Sequence, residues 1–478
     1  MILEKEQINR YLRHIIMPEI SGPGQKKLLD SLVVIQSETA EDSAPLLYYL
    51  AAAGVGHINL VLQDEQGWEM LSGRLSDLNS DVSITFGYKL SDKIPADSLT
   101  FKIILGSEVY VANSLINKVD TSMPMIIAMN RDWEGYIQVF KQREQMESAI
   151  SELQGAVQHR TVQPKEENSM GRIFSTCLLG TLTAIESIKL ILDIGTSAEN
   201  PFDFNLLSMS FNNHEKNNLT STNFFAPTTD ACSKPANSRG LADYKALVVG
   251  TGGLGSPAAY ALVKAGIGTI GLVDYDTVDI SNLNRQILHS TSRMGLPKVD
   301  SAEIFLQQLN PDVIIIKHPT NFNADNALEI ISGYDVIIDG VDNFPTRYLL
   351  NDACYLKKKP MLEAGVAAFD GMGLTIIPDE SMCYRCIFPT IPAPGAIPSC
   401  SESGVLGPVP GVMGFIEACE AAKLLTAQGT LLTNNLLAFD ALDINFEVLQ
   451  LEKNPQCALC GNSPSIRELK DYKFVCKT

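Results

Sequence analysis

The sequence has little positive charge. Its 37 lysines and arginines are outnumbered by 55 aspartates and glutamates, which leaves a formal net charge of −18. No basic stripe is present to meet the phosphate backbone of a nucleic acid. The acidic balance therefore argues against a nucleic-acid partner, and its main expected effect is to keep the chain in solution.

Signals for export or membrane insertion are also missing from the pattern. Residues 1–13 are charged and contain no apolar core of the signal-peptide kind. Elsewhere no apolar run is expected to be long enough to cross a bilayer. The sequence therefore predicts a cytoplasmic protein without a membrane partner.

A disulfide framework is not expected in such a chain, although it contains ten cysteines. Four of them form two C-x-x-C pairs, Cys383 with Cys386 and Cys457 with Cys460. Two such pairs, about seventy residues apart, match a closed tetrahedral zinc site, which is structural rather than catalytic. A redox-active C-x-x-C is the alternative for either pair taken alone.

The chain of 478 residues is long enough for two or three domains, and it repeats itself once. Five short segments recur in the same order; for example, residues 103–108 match 337–342 and residues 185–189 match 419–423. In both halves, strand-like apolar runs alternate with helix-like ones. This alternation predicts an α/β fold of two Rossmann-like, doubly wound units with largely parallel sheets.

Residues 226–240 are predicted to link the two units, because this region is rich in Asn, Ser, Thr and Pro and has no hydrophobic period. The predicted units are then 1–225 and 241–478. The first unit has lost a phosphate cradle. Glu38, Glu41 and Asp42 stand where a glycine loop would be expected, and their charge would repel a triphosphate.

The second unit has a glycine loop between a buried strand and a helix, formed by Gly250, Gly252, Gly253 and Gly255. Glycine lets backbone N–H groups approach a phosphate closely, and the helix N-terminus adds partial positive charge. Asp274 ends the next apolar run, where a carboxylate can accept from ribose hydroxyls. The loop predicts a nucleotide site without saying which nucleotide binds.

Two cations narrow the choice of nucleotide. Arg285 and Lys298 follow the loop, and a triphosphate needs both because charge must be offset as pyrophosphate leaves, whereas NAD does not. The alternative for each is a solvated surface charge. Asp342 follows a buried strand, where its carboxylate can hold Mg²⁺ on the phosphates. A helix N-cap is the alternative for Asp342.

Taken together, these motifs resemble the ThiF/MoeB/HesA family, the prokaryotic relatives of ubiquitin-activating enzymes. The resemblance implies ATP-dependent adenylation of the C-terminal glycine of a small ubiquitin-like sulfur carrier, in thiamine or molybdenum-cofactor sulfur delivery. It places Arg285 and Lys298 on the phosphates, Asp342 on Mg²⁺, and structural zinc on the four paired cysteines. It implies further nucleotide-binding positions at Asp276, Ser281, Asn282, Asn284, Gln286 and Asn343, beside the glycines and Asp274.

Cys400 lies in a loop of prolines, glycines and small residues that resembles the family's active-cysteine loop. An exposed thiolate beside an adenylate can attack the activated carbonyl, so a catalytic role is expected. A loop cysteine without a role is the alternative. We expect any sulfur donor to be a separate protein, because no rhodanese-like segment follows Cys460.

One motif is displaced between the halves. Family members begin with a helix carrying R-Y-x-R, whose second arginine enters the ATP site of the partner subunit. Here Arg10-Tyr-Leu-Arg13 stands in the first half, and the second half has no equivalent. We therefore expect an internal pseudo-dimer, as a monomer or homodimer, in which Arg13 reaches the γ-phosphate region of the second unit's site. A salt bridge on a helix surface is the alternative for Arg13.

Three other functions are weighed against this one. The same fold adenylates short ribosomal peptides in natural-product pathways, and a degenerate first unit would suit a peptide clamp. An NAD-dependent oxidoreductase would use the glycine loop, but Arg285 and Lys298 argue against it. A non-catalytic scaffold fits the first unit alone, since the motifs of the second unit are intact.

Overall fold

A computed structural model of the protein describes residues 3–87, 100–116, 123–148, 151, 169–214, 239–393 and 400–472. The chain divides into two compact units. The first comprises Met1–Ser233 with the short segment Asp440–Phe446, and the second comprises Lys234–Phe439 with Glu447–Thr478. The predicted linker 226–240 lies, except for its last two residues, outside the described part of the chain, so the predicted domain bounds stay predictions.

The first unit is built on an eight-stranded sheet. Its elements, in chain order, are α1 (Lys5–Arg10), α2 (Leu12–Ile15), α3 (Ser21–Asp30), β1 (Leu32–Thr39), α4 (Ala40–Ala53), β2 (His57–Asp64), α5 (Trp68–Leu78), β3 (Ser83–Phe86), β4 (Thr100–Ser107), α6 (Glu108–Ile116), β5 (Met125–Arg131), β6 (Glu134–Phe140), α7 (Met170–Leu192), β7 (Phe202–Asn205) and β8 (Ser210–Asn213). The strand order is β3-β2-β1-β4-β5-β6-β7-β8. Neighbours from β3 to β5 are parallel, and those from β5 to β8 are antiparallel.

The second unit repeats this plan. Its elements are β9 (Lys245–Val249), α8 (Gly255–Lys264), β10 (Thr269–Val273), α9 (Lys298–Leu309), β11 (Ile314–His318), α10 (Ala327–Ser332), β12 (Val336–Asp339), α11 (Phe344–Leu356), β13 (Met361–Ala367), β14 (Asp370–Ile376), α12 (Tyr384–Ile387), α13 (Cys400–Ser403), α14 (Pro408–Thr426), β15 (Asn435–Asp440) and β16 (Asn445–Gln450). The strand order is β11-β10-β9-β12-β13-β14-β15-β16, parallel from β11 to β13 and antiparallel from β13 to β14.

The matching strand orders confirm the predicted α/β fold of two Rossmann-like units. In each sheet the winding direction reverses beside one strand: β1 lies between β2 and β4, and β9 lies between β10 and β12. Ligands of doubly wound sheets bind outside the carboxyl ends of the strands at such a point. The fold therefore places a candidate site after β9 and β12.

Helix α7 corrects one expectation. Its 23 residues, Met170–Leu192, are long and apolar enough for a membrane span, so the expectation that no apolar run has this length is wrong. The most apolar stretch of α7 is 94% buried, however, and the helix packs against α4, β5 and β6. A helix that is apolar all round is typical of the core of a large domain as well as of a membrane span. The burial of α7 favours the core interpretation.

Each unit also buries an ion pair on the long helix that covers its sheet. Lys189 lies 2.5 Å from Glu186 on α7, and Lys423 lies 2.7 Å from Glu420 on α14. Both carboxylates accept a backbone N–H as well, from Ala198 in one case and from Leu432 in the other. Because the degenerate and the intact unit both retain the pair, we infer that it serves the fold.

Candidate functional site

A cavity opens at the carboxyl ends of β9, β10 and β12 in the second unit. It gathers predicted site residues from five separate stretches of the chain. The predicted residues that line it are Gly250, Gly252, Gly253, Asp274, Asp276, Arg285, Gln286, Lys298, Asp342 and Asn343. The structure thus brings together most of the residues that the motifs predict for the nucleotide site.

The glycine loop is held in close contact with the loop after β12. Gly250 has a φ of +91°, and a Cβ atom there would lie 2.5 Å from the carbonyl oxygen of Gly340. Gly255 does not line the cavity; a Cβ on it would lie 1.8 Å from the carbonyl oxygen of Gly250. Gly250 therefore permits the turn, whereas Gly255 lets α8 begin directly against the loop.

Asp274 fastens the glycine loop to the end of β10. One carboxylate oxygen, Oδ2, accepts hydrogen bonds from the backbone N–H and the hydroxyl of Thr251, at 2.8 and 3.0 Å. The other, Oδ1, accepts from the backbone N–H of Asp276 at 2.9 Å. Asp274 is still partly exposed at the cavity wall. Its predicted contact with a ribose stays a prediction.

His289 supports the same loop from the inside, and sequence reasoning missed it. Its Nε2 lies 3.0 Å from the carbonyl oxygen of Thr251, and its Nδ1 lies 3.0 Å from the hydroxyl of Ser301. Burial lowers the pKa of His289 to about 3, so the imidazole is neutral at physiological pH. The neutral ring donates to Thr251 and accepts from Ser301, which makes it a fixed prop rather than an acid or base.

The two predicted cations face the same cavity. Arg285 Nη1 donates to the carbonyl oxygen of Ser281 and to Oδ1 of Asn284, both at 2.8 Å. Lys298 is largely buried at the start of α9, and its Nζ donates to Asp276 Oδ2 at 3.0 Å. Positions held by such contacts are pre-organised, which suits charge-assisted binding of a polyphosphate.

Three predicted nucleotide ligands, Ser281, Asn282 and Asn284, do not line the cavity. Asp279 Oδ1 accepts from the backbone N–H of Ser281 at 2.9 Å, and Asn282 Oδ1 accepts from the backbone N–H of Asp279 at 3.2 Å. These contacts close the turn that presents Arg285. A direct contact of the three side chains with a nucleotide remains a prediction.

The cavity fits ATP with Mg²⁺ by the chemistry of its donors and acceptors. Gln286, a residue of the cavity wall, has its Oε1 buried without a hydrogen-bond partner in the described part of the chain, which is typical of a site that a ligand completes. Asp342 is exposed at the cavity and offers the oxygen ligand that Mg²⁺ prefers. The helix N-cap is Asn343 instead, whose Oδ1 accepts from Thr346 N at 3.0 Å.

Other residues of the cavity wall were not predicted. Thr320, Asn321 and Phe322 follow β11, and their place after a neighbouring parallel strand was a usable signal. Tyr275, between Asp274 and Asp276, could have been found in the same way. By contrast, the wall residues Arg347, Val366, Ala367, Val405 and Pro410 come from later elements that only the packing of the unit brings here.

The four paired cysteines converge elsewhere in the second unit. Their sulfur atoms all lie within 4.8 Å of one another, with Cys383 and Cys457 3.6 Å apart and Cys386 and Cys460 3.2 Å apart. Tetrahedral zinc with Zn–S bonds of about 2.3 Å requires sulfurs about 3.8 Å apart. The cluster therefore fits zinc with four thiolate ligands and no open position, which is a structural site.

An ion pair supports the cysteine cluster from the neighbouring helix. Arg385, between Cys383 and Cys386, donates to both carboxylate oxygens of Asp352 on α11, at 2.7 and 2.9 Å. Its guanidinium also lies over the rings of Tyr348 and Tyr472. The last described residues of the chain are thus tied to the sheet domain next to the metal cluster.

The structure leaves Cys400 untested. Cys400 begins the short helix α13, but its side chain lies outside the described part of the chain. Its predicted reaction with an activated carbonyl therefore stays a prediction.

In the first unit, an ion-pair cluster occupies the region where the second unit has its glycine loop. Glu38, near the end of β1, accepts from the backbone N–H of Ser107 at the end of β4, at 2.9 Å. Arg172 Nη2 lies 3.4 Å from Glu38 and 3.2 Å from Asp42. A carboxylate of the chain thus takes a backbone donor at the end of β4, and Arg172, which the sequence did not single out, offsets the charge.

The R-Y-x-R motif is divided in its roles within the first unit. Arg10 is buried and donates to the carbonyl oxygen of Leu78 at 2.8 Å, and the buried Tyr11 hydroxyl donates to Asp81 at 2.9 Å. Arg13 is partly exposed. Its predicted contact with the nucleotide of the second unit remains a prediction.

The fold and the site define a nucleotide-binding α/β protein with a cluster of four cysteines that fits a metal ion. The model of the ThiF family matches residues 230–459. A sulfur carrier protein adenylyltransferase of Thermus thermophilus is 46% identical over 235 residues, which cover 48% of this chain and 87% of the relative. The chain belongs to the ThiF family, which confirms the predicted resemblance.

Two further sequence relatives agree with this assignment. A SAMP-activating enzyme E1 of Haloferax volcanii is 42% identical over 235 residues, covering 49% of this chain and 86% of that protein. An adenylyltransferase and sulfurtransferase MOCS3 of Culex quinquefasciatus is 44% identical over 232 residues, which cover 48% of this chain and 53% of that protein. A solved structure of E. coli MccB with MccA-N7isoASN matches with a TM-score of 0.42 and 22% identity, over 46% of this chain and 68% of that one.

We predict that removal of the metal destabilises the second unit. Replacing Cys457 by Ser should abolish binding of one zinc per chain and lower the unfolding midpoint by roughly 6–12 °C, because a loss of about 3 kcal/mol has this effect in domains of this size. Metal analysis and thermal unfolding measure both quantities. Cys354→Ala, a buried cysteine outside the cluster, is the control and should keep its zinc. Full stability of metal-free protein would contradict a structural role.

Proposed function

We propose that this protein adenylates the C-terminal glycine carboxylate of a ubiquitin-like sulfur carrier and releases pyrophosphate. The observation that carries the proposal is the convergence of the glycine loop, Arg285, Lys298 and Asp342 on one cavity. Two relatives are matched over 87% and 86% of their own length. They are named a sulfur carrier protein adenylyltransferase and a SAMP-activating enzyme E1. We also propose that the reaction takes place in the cytoplasm.

The chemistry needs positioning rather than a base. A carboxylate is already a nucleophile, and it attacks the α-phosphorus of ATP while pyrophosphate leaves. Negative charge that collects on the leaving group is offset by the guanidinium of Arg285 and the ammonium of Lys298. Asp342 would hold Mg²⁺, which adds positive charge to the phosphates when it is bound.

The lysine already has an anionic partner, which gives it a defined position before substrate binds. Lys298 Nζ lies 3.0 Å from Asp276, and the lysine side chain is 8% exposed, whereas that of Asp276 is 49% exposed. We infer that Asp276 turns toward solvent when a phosphate replaces it beside Lys298. The buried ammonium is then never left without a counter-charge, which would be costly.

The first test is the exchange of pyrophosphate into ATP in the presence of a carrier that ends in Gly-Gly. Arg285→Ala or Lys298→Ala should reduce exchange about 100- to 1,000-fold, because each removes a charged donor from the developing charge. Lys317→Ala is the control, since this partly exposed cation pairs with Asp300 and Glu303 and does not line the cavity. Normal exchange by both site variants would contradict the proposal.

The same assay decides between the carrier and the alternative substrates. Exchange that depends on a short ribosomal peptide, and not on a carrier, would favour the peptide-activating function. Reduction of NAD without exchange would favour an oxidoreductase.

We further propose that Arg13 assists the second unit's site within an internal pseudo-dimer. Support comes from the complementary retention of motifs: the first unit keeps R-Y-x-R without a glycine loop, and the second keeps the glycine loop without R-Y-x-R. Arg13→Ala should raise the barrier to adenylation by about 2–4 kcal/mol, measured as pyrophosphate exchange. Lys5→Ala, an exposed cation on α1, should leave exchange unchanged. Unaltered exchange in the Arg13 variant would rule the idea out.

Cys400 is proposed to act after adenylation. Its thiolate would attack the carbonyl carbon of the acyl adenylate, form a thioester with the carrier and expel AMP. An acyl disulfide would form instead if Cys400 first carried a persulfide from a separate sulfur donor, whose outer sulfur attacks the same carbonyl and also expels AMP. Cys400→Ala should therefore retain pyrophosphate exchange and lose any covalent complex with the carrier, as read by mass spectrometry under non-reducing conditions. A covalent complex that persists in the variant would assign the bond to another residue.

A further inference from the structure

Arg347, a residue of the cavity wall, belongs to a group of buried charged residues in the second unit. Arg347 on α11 lies 3.2 Å from Asp339 at the end of β12 and 3.4 Å from Glu363 on β13. Glu417 on α14 is also buried, and neither Glu363 nor Glu417 has a hydrogen-bond partner for its carboxylate oxygens within the described residues. Buried charge is usually no source of stability, so the group calls for another explanation.

The first unit has lost the entire group. The segment matches place Leu105 opposite Asp339 and Thr183 opposite Glu417, and the fourth residue of α6 is Val111 where the fourth of α11 is Arg347. The pairing of the strands gives the counterpart of Glu363. Asp339 pairs with Glu363 in one sheet, and Leu105 pairs with Ala128 in the other, so Ala128 stands opposite Glu363. The buried Glu–Lys pair of α7 and α14, in contrast, persists in both units. The sheet therefore folds without these charges, which are kept only in the unit with the cavity.

The contacts of this group converge on one residue of the loop after β12. Asp339 Oδ1 accepts from the backbone N–H of Val341 at 3.0 Å. Arg347 Nη2 donates to the carbonyl oxygen of Val341 at 3.0 Å and to that of Ala364 at 2.7 Å. Both backbone polar groups of Val341 are thus held by side chains, and Asp342 follows immediately.

The same loop also contacts the glycine loop. Gly340 N donates to the carbonyl oxygen of Val249 at 2.8 Å, and a Cβ on Gly340 would lie 2.4 Å from the carbonyl oxygen of Gly250. The loop after β12 thus has the backbone of the glycine loop on one side and the guanidinium of Arg347 on the other. A shift of Val341 would therefore move Asp342 relative to the phosphate cradle.

Glu363 and Glu417 compete little with these contacts for the guanidinium of Arg347. Burial raises the pKa of Glu363 to about 7 and also raises the pKa of Glu417. Both carboxyls therefore carry less negative charge near neutral pH than exposed glutamates do. Arg347 directs hydrogen bonds to Asp339 and to the two carbonyl oxygens, and it also contacts the hydroxyl of Tyr384.

We propose that Asp339 and Arg347 are positioning residues that clamp the Val341 backbone and so aim Asp342 at the Mg²⁺ of bound ATP. The proposal rests on the proposed function insofar as that function requires ATP with Mg²⁺ in this cavity. Lysine cannot replace the arginine here, because an ammonium lacks the planar fork that reaches a carboxylate and two carbonyl groups at once.

The first test measures binding rather than turnover. Calorimetry of the full chain should show that Arg347→Lys weakens binding of ATP with Mg²⁺ about tenfold, the usual effect of losing a residue that orients a metal ligand. Binding of ATP in buffer without Mg²⁺, and without a chelator that would strip the cysteine cluster of its metal, should change less than about twofold. Equal weakening of both would mean that Arg347 shapes the cavity as a whole, and would overturn the proposal.

Lys423→Met is the matched control, because it breaks a buried ion pair in the same unit at residues that do not line the cavity. It should lower thermal stability without changing the Mg²⁺ dependence of ATP binding. Zinc content and the unfolding midpoint show whether each variant is folded. A changed Mg²⁺ dependence in this control would attribute the effect to general loosening and overturn the proposal.

A double-mutant cycle then tests whether Arg347 acts through Asp342. If it does, adding Arg347→Lys to Asp342→Ala should cost no further affinity for ATP with Mg²⁺, because the oriented ligand is already gone. Additive losses would overturn the proposal. Wild-type protein that binds ATP with Mg²⁺ but activates no carrier would refute the proposed function alone, whereas failure to bind this complex would refute both.

Discussion

The candidate site depends on how closely two backbone loops approach each other. The loops after β9 and β12 meet at Gly250 and Gly340, where any side chain would collide with the facing carbonyl. This contact places the phosphate cradle, the end of β10 and the loop of Asp342 around one cavity. Asp274, His289 and the Asp339–Arg347 pair all serve to hold these loops in place. Most of the buried polar network therefore fixes backbone, and a smaller set of side chains faces the ligand.

Comparison of the two units separates the requirements of the fold from those of the site. Both keep the strand order and a buried Glu–Lys pair on the long covering helix. Only the second unit keeps the glycine loop and the buried charged group around Arg347. In the first, Glu38 and Arg172 fill the equivalent region with a local ion pair. Loss of the ligand site has thus been accompanied by charge neutralisation, because an unpaired carboxylate in this partly buried region would destabilise the unit.

The cysteine cluster acts on a different part of the second unit. It joins the start of α12, which follows β14, to residues 457–460, about seventy positions further along the chain. Arg385 and its aromatic neighbours extend this attachment to Tyr472. A metal at a closed site supplies folding free energy without touching the substrate. We therefore assign the cavity to the chemistry of the protein and the cysteine cluster to the stability of the second unit.

Local spacing in the sequence was enough to predict the repeat, the α/β class, the glycine loop, both cations and the cysteine pairs. Each of these depends on residues that are close in the chain, or on strand ends that a parallel sheet must align. Local spacing could not show that Arg347 and Pro410 reach the cavity wall, that His289 props the loop, or that Arg172 neutralises Glu38. Those contacts join residues up to 134 positions apart. Only the packing of helices on the sheet decides them, since side-chain partners across layers leave no period in the sequence.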